Sequence, residues 1–135
     1  MKLTDVVPNL VVADIDRSTA FYRDVLGFTV VTTVPDAAPY VFVWLQRDAV
    51  NVFLNATEAA FKDFPHLAAQ PLGGTATLYV TLEGDADRAV VDEFHDAIAT
   101  RCRVVHPLHT QFYGMREFAV EDPDGYTLMF AQRVG

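Results

Sequence analysis

The sequence predicts an α+β protein made of two βαβββ modules, whose curved mixed sheets surround a concave cavity. Strand and helix patterns run in the order β-α-β-β-β twice, and a long connector that ends in Pro and Gly separates the two runs. Residue identity between the halves is slight, so the inferred internal duplication rests on the order of the elements. We predict a single domain over residues 1–135, with a first module at 1–55, a connector at 56–74 and a second module at 75–135.

The first module begins with an apolar, β-branched strand in which Pro8 favours an edge position. Asp14 suits the N-cap of the following helix, because its side chain accepts from free backbone N–H groups, and Gly27 ends that helix. The last two strands form a hairpin across Arg47 and Asp48. The predicted strands are 5–15, 28–34, 39–46 and 49–55.

The second module repeats this order after the connector, which itself holds one short helix. Apolar residues at helical spacing predict a helix over 85–101. The predicted strands are 75–82, 102–106, 114–121 and 126–132.

The acidic segment EDPDG at 121–125 suggests either catalysis or a turn. Pro presets φ, Asp bonds to nearby backbone and Gly permits positive φ, so we predict a hairpin turn. If this turn pairs Asp122 with Gly125, Phe118 lies opposite Met129, and both side chains point away from the helix and into the cavity.

Alternation with a period of two sorts the strand side chains onto two faces. One face is aliphatic and suits packing under a helix, whereas the other is aromatic and hydroxyl-bearing. The second face suggests a ligand surface, or alternatively a dimer interface or a second core. The side chains that we expect to bind a ligand are Tyr40, Phe42, Trp44, Asn51, Phe53, Thr77, Tyr79, Arg116, Phe118 and Met129.

Composition disfavours several classes of function. The net charge is −8 and the basic residues are scattered, which argues against binding of nucleic acid. An acidic surface favours a cationic ligand, but it also simply aids solubility. No run reaches the roughly 18 to 20 apolar residues of a membrane span, and the first residues lack signal-peptide features. The single Cys102 gives no disulfide framework. We expect a cytoplasmic protein without nucleic-acid or membrane partners.

Two local features suggest other chemistry. His106 and His109 have a spacing that could chelate a metal, but the intervening Pro107 prevents a helical pair, and such short matches are weak hypotheses. The two arginines beside Cys102 could lower its pKa, although a lone Cys at a strand start is more often structural.

The segments PNLVVADIDRSTAFYRDVLGF at 8–28 and YGMREFAVEDPDGYTLMFAQ at 113–132 resemble the vicinal oxygen chelate superfamily. That superfamily holds glyoxalase I, extradiol dioxygenases, fosfomycin-inactivating enzymes and bleomycin resistance proteins. The resemblance implies paired βαβββ modules along essentially the whole chain. In the enzymes of the superfamily, it also implies a divalent metal held by His, Glu or Gln, which polarises substrate oxygens.

The positions that match those metal ligands carry other residues here. The resemblance places them at Val7, at Asn51 or Phe53, at Thr77 and at Met129. None is a good ligand for a hard divalent metal. The chain is therefore most similar to the non-metal branch of bleomycin resistance proteins, which sequester a bulky cationic drug without covalent chemistry.

We expect a homodimer that binds a small cationic or aromatic molecule without a cofactor, because open curved sheets favour pairing. The alternative is a superfamily enzyme, a lyase or dioxygenase, with an atypical site for a divalent metal. A third hypothesis is a sensor or interaction domain whose aromatic face is covered by a protein partner.

Overall fold

A computed structural model describes residues 1–85 and 87–135 of the chain. The chain forms two compact units, Met1–Leu72 and Gly73–Gly135. The predicted α+β class and the repeated order of elements are confirmed. None of the described helices is long and apolar enough to cross a lipid bilayer.

The first unit holds one four-stranded sheet in the order β1-β4-β3-β2. Strand β1 pairs in parallel with β4, and the remaining pairs are antiparallel. As Pro8 indicated, β1 lies at an edge of the sheet. The elements are β1 (Asn9–Val12), α1 (Ile15–Ala20) with a π-helical continuation (Phe21–Val25), β2 (Thr29–Val34), β3 (Phe42–Arg47), β4 (Val50–Ala56), α2 (Thr57–Asp63) and a 3-10 helix (Pro65–Ala69).

Helix α1 packs against β3 and β4, and the side chains beneath it form the core of the first unit. They alternate along the strands and are buried: Leu10, Val12, Val43, Leu45, Val52 and Leu54. Burying each such side chain contributes about 1.5–3 kcal/mol, so this helix-covered face is the main source of stability in the unit.

Local chemistry sets both ends of the first helix. The Asp14 carboxylate accepts a hydrogen bond from the Arg17 amide at 3.0 Å, which confirms the predicted N-cap. Gly27 follows the helix with a φ of 78°. A Cβ at Gly27 would lie 2.8 Å from Nη1 of Arg47, which donates to the Leu26 carbonyl at 2.6 Å. The helix end and β3 are thereby joined.

The second unit has the equivalent order, β5-β8-β7-β6, with β5 parallel to β8. Its helix is shorter than predicted, and Ala86, which the prediction included, lies outside the described residues. Strand β6 is longer than predicted and includes Pro107, which an edge strand tolerates. The elements are β5 (Thr77–Thr81), α3 (Val90–Ile98), β6 (Arg103–Thr110), β7 (Met115–Glu121) and β8 (Thr127–Arg133).

Two polar side chains join α3 to the sheet. Gln132 is fully buried; its amide nitrogen donates to the carbonyls of Asp85 and Arg88, each at 2.9 Å, and its oxygen accepts from the Val91 amide at 3.2 Å. Arg116 makes a bidentate pair with Asp92 at 2.7 and 2.9 Å. The first of these contacts satisfies the Val91 amide, one of the N–H groups in the first turn that have no partner within a helix.

The predicted register of the β7–β8 hairpin is wrong by one residue. Asp122 pairs with Tyr126 rather than with Gly125, and Phe118 consequently lies opposite Phe130. The Asp122 carboxylate accepts from the amides of Asp124 and Tyr126, both at 2.9 Å, so three residues stand in the loop where the prediction allowed two. A slip of one residue reverses the face of every side chain of β7 relative to those of β8.

Arg116 and Phe118 therefore lie on the helix-covered face, not on the ligand face where we had expected them. Phe118 is fully buried and packs against Phe94 of α3 at a ring-centroid distance of 6.1 Å. Between them on β7, Glu117 takes the opposite face.

The position of Phe118 predicts the effect of its removal. We expect Phe118→Ala to lower the free energy of unfolding by about 3–5 kcal/mol, because it leaves a cavity under α3. The matched control is Phe112→Ala, since Phe112 is 97% exposed; this change should stay within about 0.5 kcal/mol. Urea denaturation followed by circular dichroism measures both, and equal small effects would contradict the observed register.

Candidate functional site

The first unit carries an aromatic cluster on the face of its sheet opposite α1. The rings of Phe42 and Phe53 lie 5.2 Å apart, and those of Trp44 and Phe53 lie 6.0 Å apart at 85°. All three side chains are partly exposed, whereas the aliphatic residues between them are buried. We call Phe42, Trp44 and Phe53 the aromatic face.

A polar contact holds this face in place. Oδ1 of Asn51 accepts from Nε1 of Trp44 at 2.8 Å and from the amide nitrogen of Gln46 at 3.0 Å. The indole plane is thus fixed by a hydrogen bond as well as by ring packing. Tyr40, also a predicted ligand residue, is half-buried and precedes β3.

The second unit carries a different arrangement on the face of its sheet opposite α3. The carboxylate of Glu117 accepts three hydrogen bonds. They come from the hydroxyl of Tyr79 at 2.8 Å, from the hydroxyl of Tyr113 at 2.9 Å, and from the side-chain amide nitrogen of Gln111 at 3.1 Å. Glu117 is only 1% exposed, whereas Tyr79 is 49% and Tyr113 is 46% exposed. We call these four residues the Glu117 cluster.

The donors of the cluster keep the buried carboxylate ionised. Burial alone would raise the pKa of Glu117, but the three hydrogen bonds and the nearby His109 imidazole outweigh it, so the pKa lies below its ordinary value of 4.5. Desolvation and the bond to the carboxylate raise the pKa of Tyr79 to about 12. The same bond raises the pKa of Tyr113. At neutral pH the phenols keep their protons and Glu117 keeps its charge.

The other predicted ligand residues of the second unit lie on the same face as this cluster. Thr77 is exposed on β5, and Met129 is half-buried on β8 opposite Ala119. Sequence reasoning placed Tyr79 on this face but missed Glu117, Gln111 and Tyr113. A signal for Glu117 was present, because adjacent strand residues face opposite sides and one of the charged pair 116–117 must therefore face away from the helix.

The two alternative sites gain little support. The rings of His106 and His109 lie 4.3 Å apart, and Nδ1 of each contacts the Pro107 carbonyl, at 3.2 and 2.7 Å. These two histidines thus share one carbonyl partner on an edge strand. Burial raises the pKa of the Cys102 thiol more than the neighbouring Arg101 lowers it, so the activating effect that we considered does not dominate.

The residues at the superfamily's metal positions do not fit a hard divalent metal. Oδ1 of Asn51 already accepts two hydrogen bonds, and Val7, Thr77 and Met129 offer no carboxylate or imidazole. In residues 1–85 and 87–135, no group of three or more His, Cys, Asp or Glu side chains is arranged to hold an ion.

Comparison with known proteins identifies the family. Residues 4–130 match the family model described as the glyoxalase/bleomycin resistance protein/dioxygenase superfamily. The chain belongs to this superfamily. A bleomycin resistance protein from Geobacillus stearothermophilus is 31% identical to it, over 95% of this chain and 96% of that protein. The resemblance seen in the two terminal segments is thereby confirmed.

Solved structures agree on the superfamily fold. A glyoxalase/bleomycin resistance protein/dioxygenase from Nocardioides superposes with a TM-score of 0.75 at 20% identity, over 99% of this chain and 85% of that one. A lactoylglutathione lyase from Agrobacterium tumefaciens gives a TM-score of 0.69 at 22% identity, over 98% and 95% of the two chains. At these identities the likeness concerns the fold alone.

The ionised state of Glu117 predicts a pH-dependent contribution to stability. Because its pKa is lower in the folded than in the unfolded chain, the carboxylate stabilises the fold above about pH 4.5 and loses this effect as the pH falls further. We expect Glu117→Gln to cost about 1–3 kcal/mol at pH 7, since it removes the charged acceptor of three hydrogen bonds, and the difference from wild type to shrink as the pH falls below about 4.5. Urea denaturation at a series of pH values measures this. The exposed Glu83 gives the control, Glu83→Gln, and a difference that does not change with pH would contradict the assignment.

Proposed function

We propose that the protein binds a small aromatic molecule that carries positive charge, in the manner of a drug-sequestering protein and without a metal. The observation that carries this proposal is the aromatic face, three partly exposed rings on the face of the sheet opposite α1. The 31% identity to a protein named for bleomycin resistance supports the same type of function.

The geometry of the aromatic face suits a planar ligand. Its rings meet at inclined angles of 58° and 85°, so the faces of some rings remain available for stacking. The hydrogen bond from Trp44 to Asn51 fixes the indole before a ligand arrives, which lowers the entropy cost of binding. An indole face also attracts a cation within about 6 Å of its centroid.

Electrostatics favour a cation over an anion. The net charge of −8 attracts positively charged molecules and accelerates their approach at low ionic strength. Sequestration requires only that binding lower the free concentration of the molecule. We propose a cytoplasmic location, where a lone thiol such as that of Cys102 stays reduced.

The chain contains one Trp, so Trp44 fluorescence reports binding at the aromatic face directly. We expect bleomycin, or another cationic aromatic drug from a panel, to change this fluorescence in a saturable way, equally with and without EDTA. Phe53→Leu should weaken that binding about three- to tenfold, because it removes a stacking partner worth about 0.5–1.5 kcal/mol. Phe64→Leu is the matched control, since Phe64 is exposed after α2 and lies outside the aromatic face.

Three results would contradict the proposal. They are saturable binding by anionic members of the panel only, loss of binding on chelation with about one metal retained per chain, and equal effects of the Phe53 and Phe64 substitutions.

We also propose that the protein is a homodimer. Each sheet has two edge strands, and an unpaired edge offers backbone groups to a second copy. Light scattering of the purified protein should give twice the chain mass of 15.0 kDa. A single-chain mass at micromolar concentration would rule this assembly out.

A further inference from the structure

We propose that the Glu117 cluster is a recognition site for a protonated amine, either a primary or secondary ammonium or a guanidinium group. The phenol oxygens of Tyr79 and Tyr113 would accept hydrogen bonds from its N–H groups. This inference rests on the proposed function, because it names the charged group of the ligand and the residues that bind it. It concerns residues of the second unit only.

The direction of the hydrogen bonds decides the chemistry of this surface. An ionised carboxylate carries no hydrogen, so the hydroxyls of Tyr79 and Tyr113 must donate to Glu117, at 2.8 and 2.9 Å. A phenol has one hydrogen and retains acceptor capacity on its oxygen. With both hydrogens committed to Glu117, these two oxygens can only accept from a ligand. They therefore select N–H donors and repel carboxylate or phosphate oxygens.

The exposed part of the cluster is its tyrosines and not its carboxylate. Glu117 is 1% exposed, but Tyr79 and Tyr113, whose hydroxyls bond to it, are nearly half exposed. A ligand cation that touches the phenol oxygens lies one hydrogen bond away from the charge. Because this charge is removed from water, its attraction for a cation is less screened than that of a surface carboxylate.

Glu117 lacks an ion-pair partner within 4.0 Å among the described residues. His109 lies near enough to lower the pKa of Glu117, but it forms no ion pair with it: its Nδ1 meets the Pro107 carbonyl at 2.7 Å, and its buried Nε2 has no hydrogen-bond partner. The hydrogen bonds to this buried charge come from three neutral donors. A ligand ammonium would supply the missing positive charge.

A purely structural role for the cluster makes a different prediction. Gln111 and Tyr113 belong to the β6–β7 connection, so the same bonds would simply hold that loop on the sheet. In that case amines would bind no better than neutral molecules of the same shape.

The test uses the full chain labelled with 13C in its tyrosine rings. The five Tyr signals are assigned by single Tyr→Phe variants. The probes are 2-phenylethylammonium, its trimethylammonium analogue, 2-phenylethanol and phenylacetate. We expect 2-phenylethylammonium alone to shift the signals of Tyr79 and Tyr113 in a saturable way.

Tyr79→Phe and Tyr113→Phe, which leave the carboxylate in place, should each weaken this binding about tenfold, since each removes an acceptor for a charged donor. Tyr126→Phe is the control.

Several outcomes would overturn the inference. They are shifts with 2-phenylethanol or phenylacetate equal to those with 2-phenylethylammonium, equal binding of the trimethylammonium analogue, which has no N–H, and no shift of the Tyr79 and Tyr113 signals.

Trp44 fluorescence recorded with the same probes separates the two proposals. A response of Tyr79 and Tyr113 without Trp44 would support the ammonium site and argue against the proposed function at the aromatic face. A response of Trp44 alone would support the proposed function and overturn the ammonium site.

Discussion

The register of the β7–β8 hairpin is the constraint on which the second unit depends. The Asp122 carboxylate accepts from two amides across the loop, and Gly125 adopts a φ of 89° that closes it. Since side chains alternate between faces, this loop length assigns every residue of both strands to one side. It buries Phe118 under α3 and leaves Glu117 on the opposite face. With one residue fewer, a carboxylate would enter the aromatic core and a phenyl ring would leave it.

The two sheets show what sequence reasoning can and cannot predict. The faces of β3 and β4 follow from their residues, because both strands alternate without interruption and a tight turn joins them. The faces of β7 relative to β8 do not, because two and three loop residues are both compatible with EDPDG and the backbone bonds of Asp122 decide between them. Gln111 and Tyr113 could not be placed either, since a connection between strands has no period from which to read direction.

The two units share a strand order but carry different chemistry. The face of the first unit is neutral and aromatic, with an amide as its polar anchor at Asn51. That of the second unit holds a charge, which neutral donors stabilise without cancelling it. The side beneath the helix differs as well, since it is aliphatic in the first unit and contains Phe118 and Phe130 in the second.

The buried Gln132 has a consequence for the order in which the protein can fold during synthesis. Its bonds to the start of α3 span 41 residues of sequence from Val91. A ribosome makes about 5–20 residues per second, so α3 is made several seconds before the side chain that satisfies the amide of its second residue. The strand order places β8 between β5 and β7, and neither neighbour can complete its pairing until β8 has been made. The second unit therefore becomes stable only late in translation, whereas the sheet of the first unit is fully encoded by Ala56.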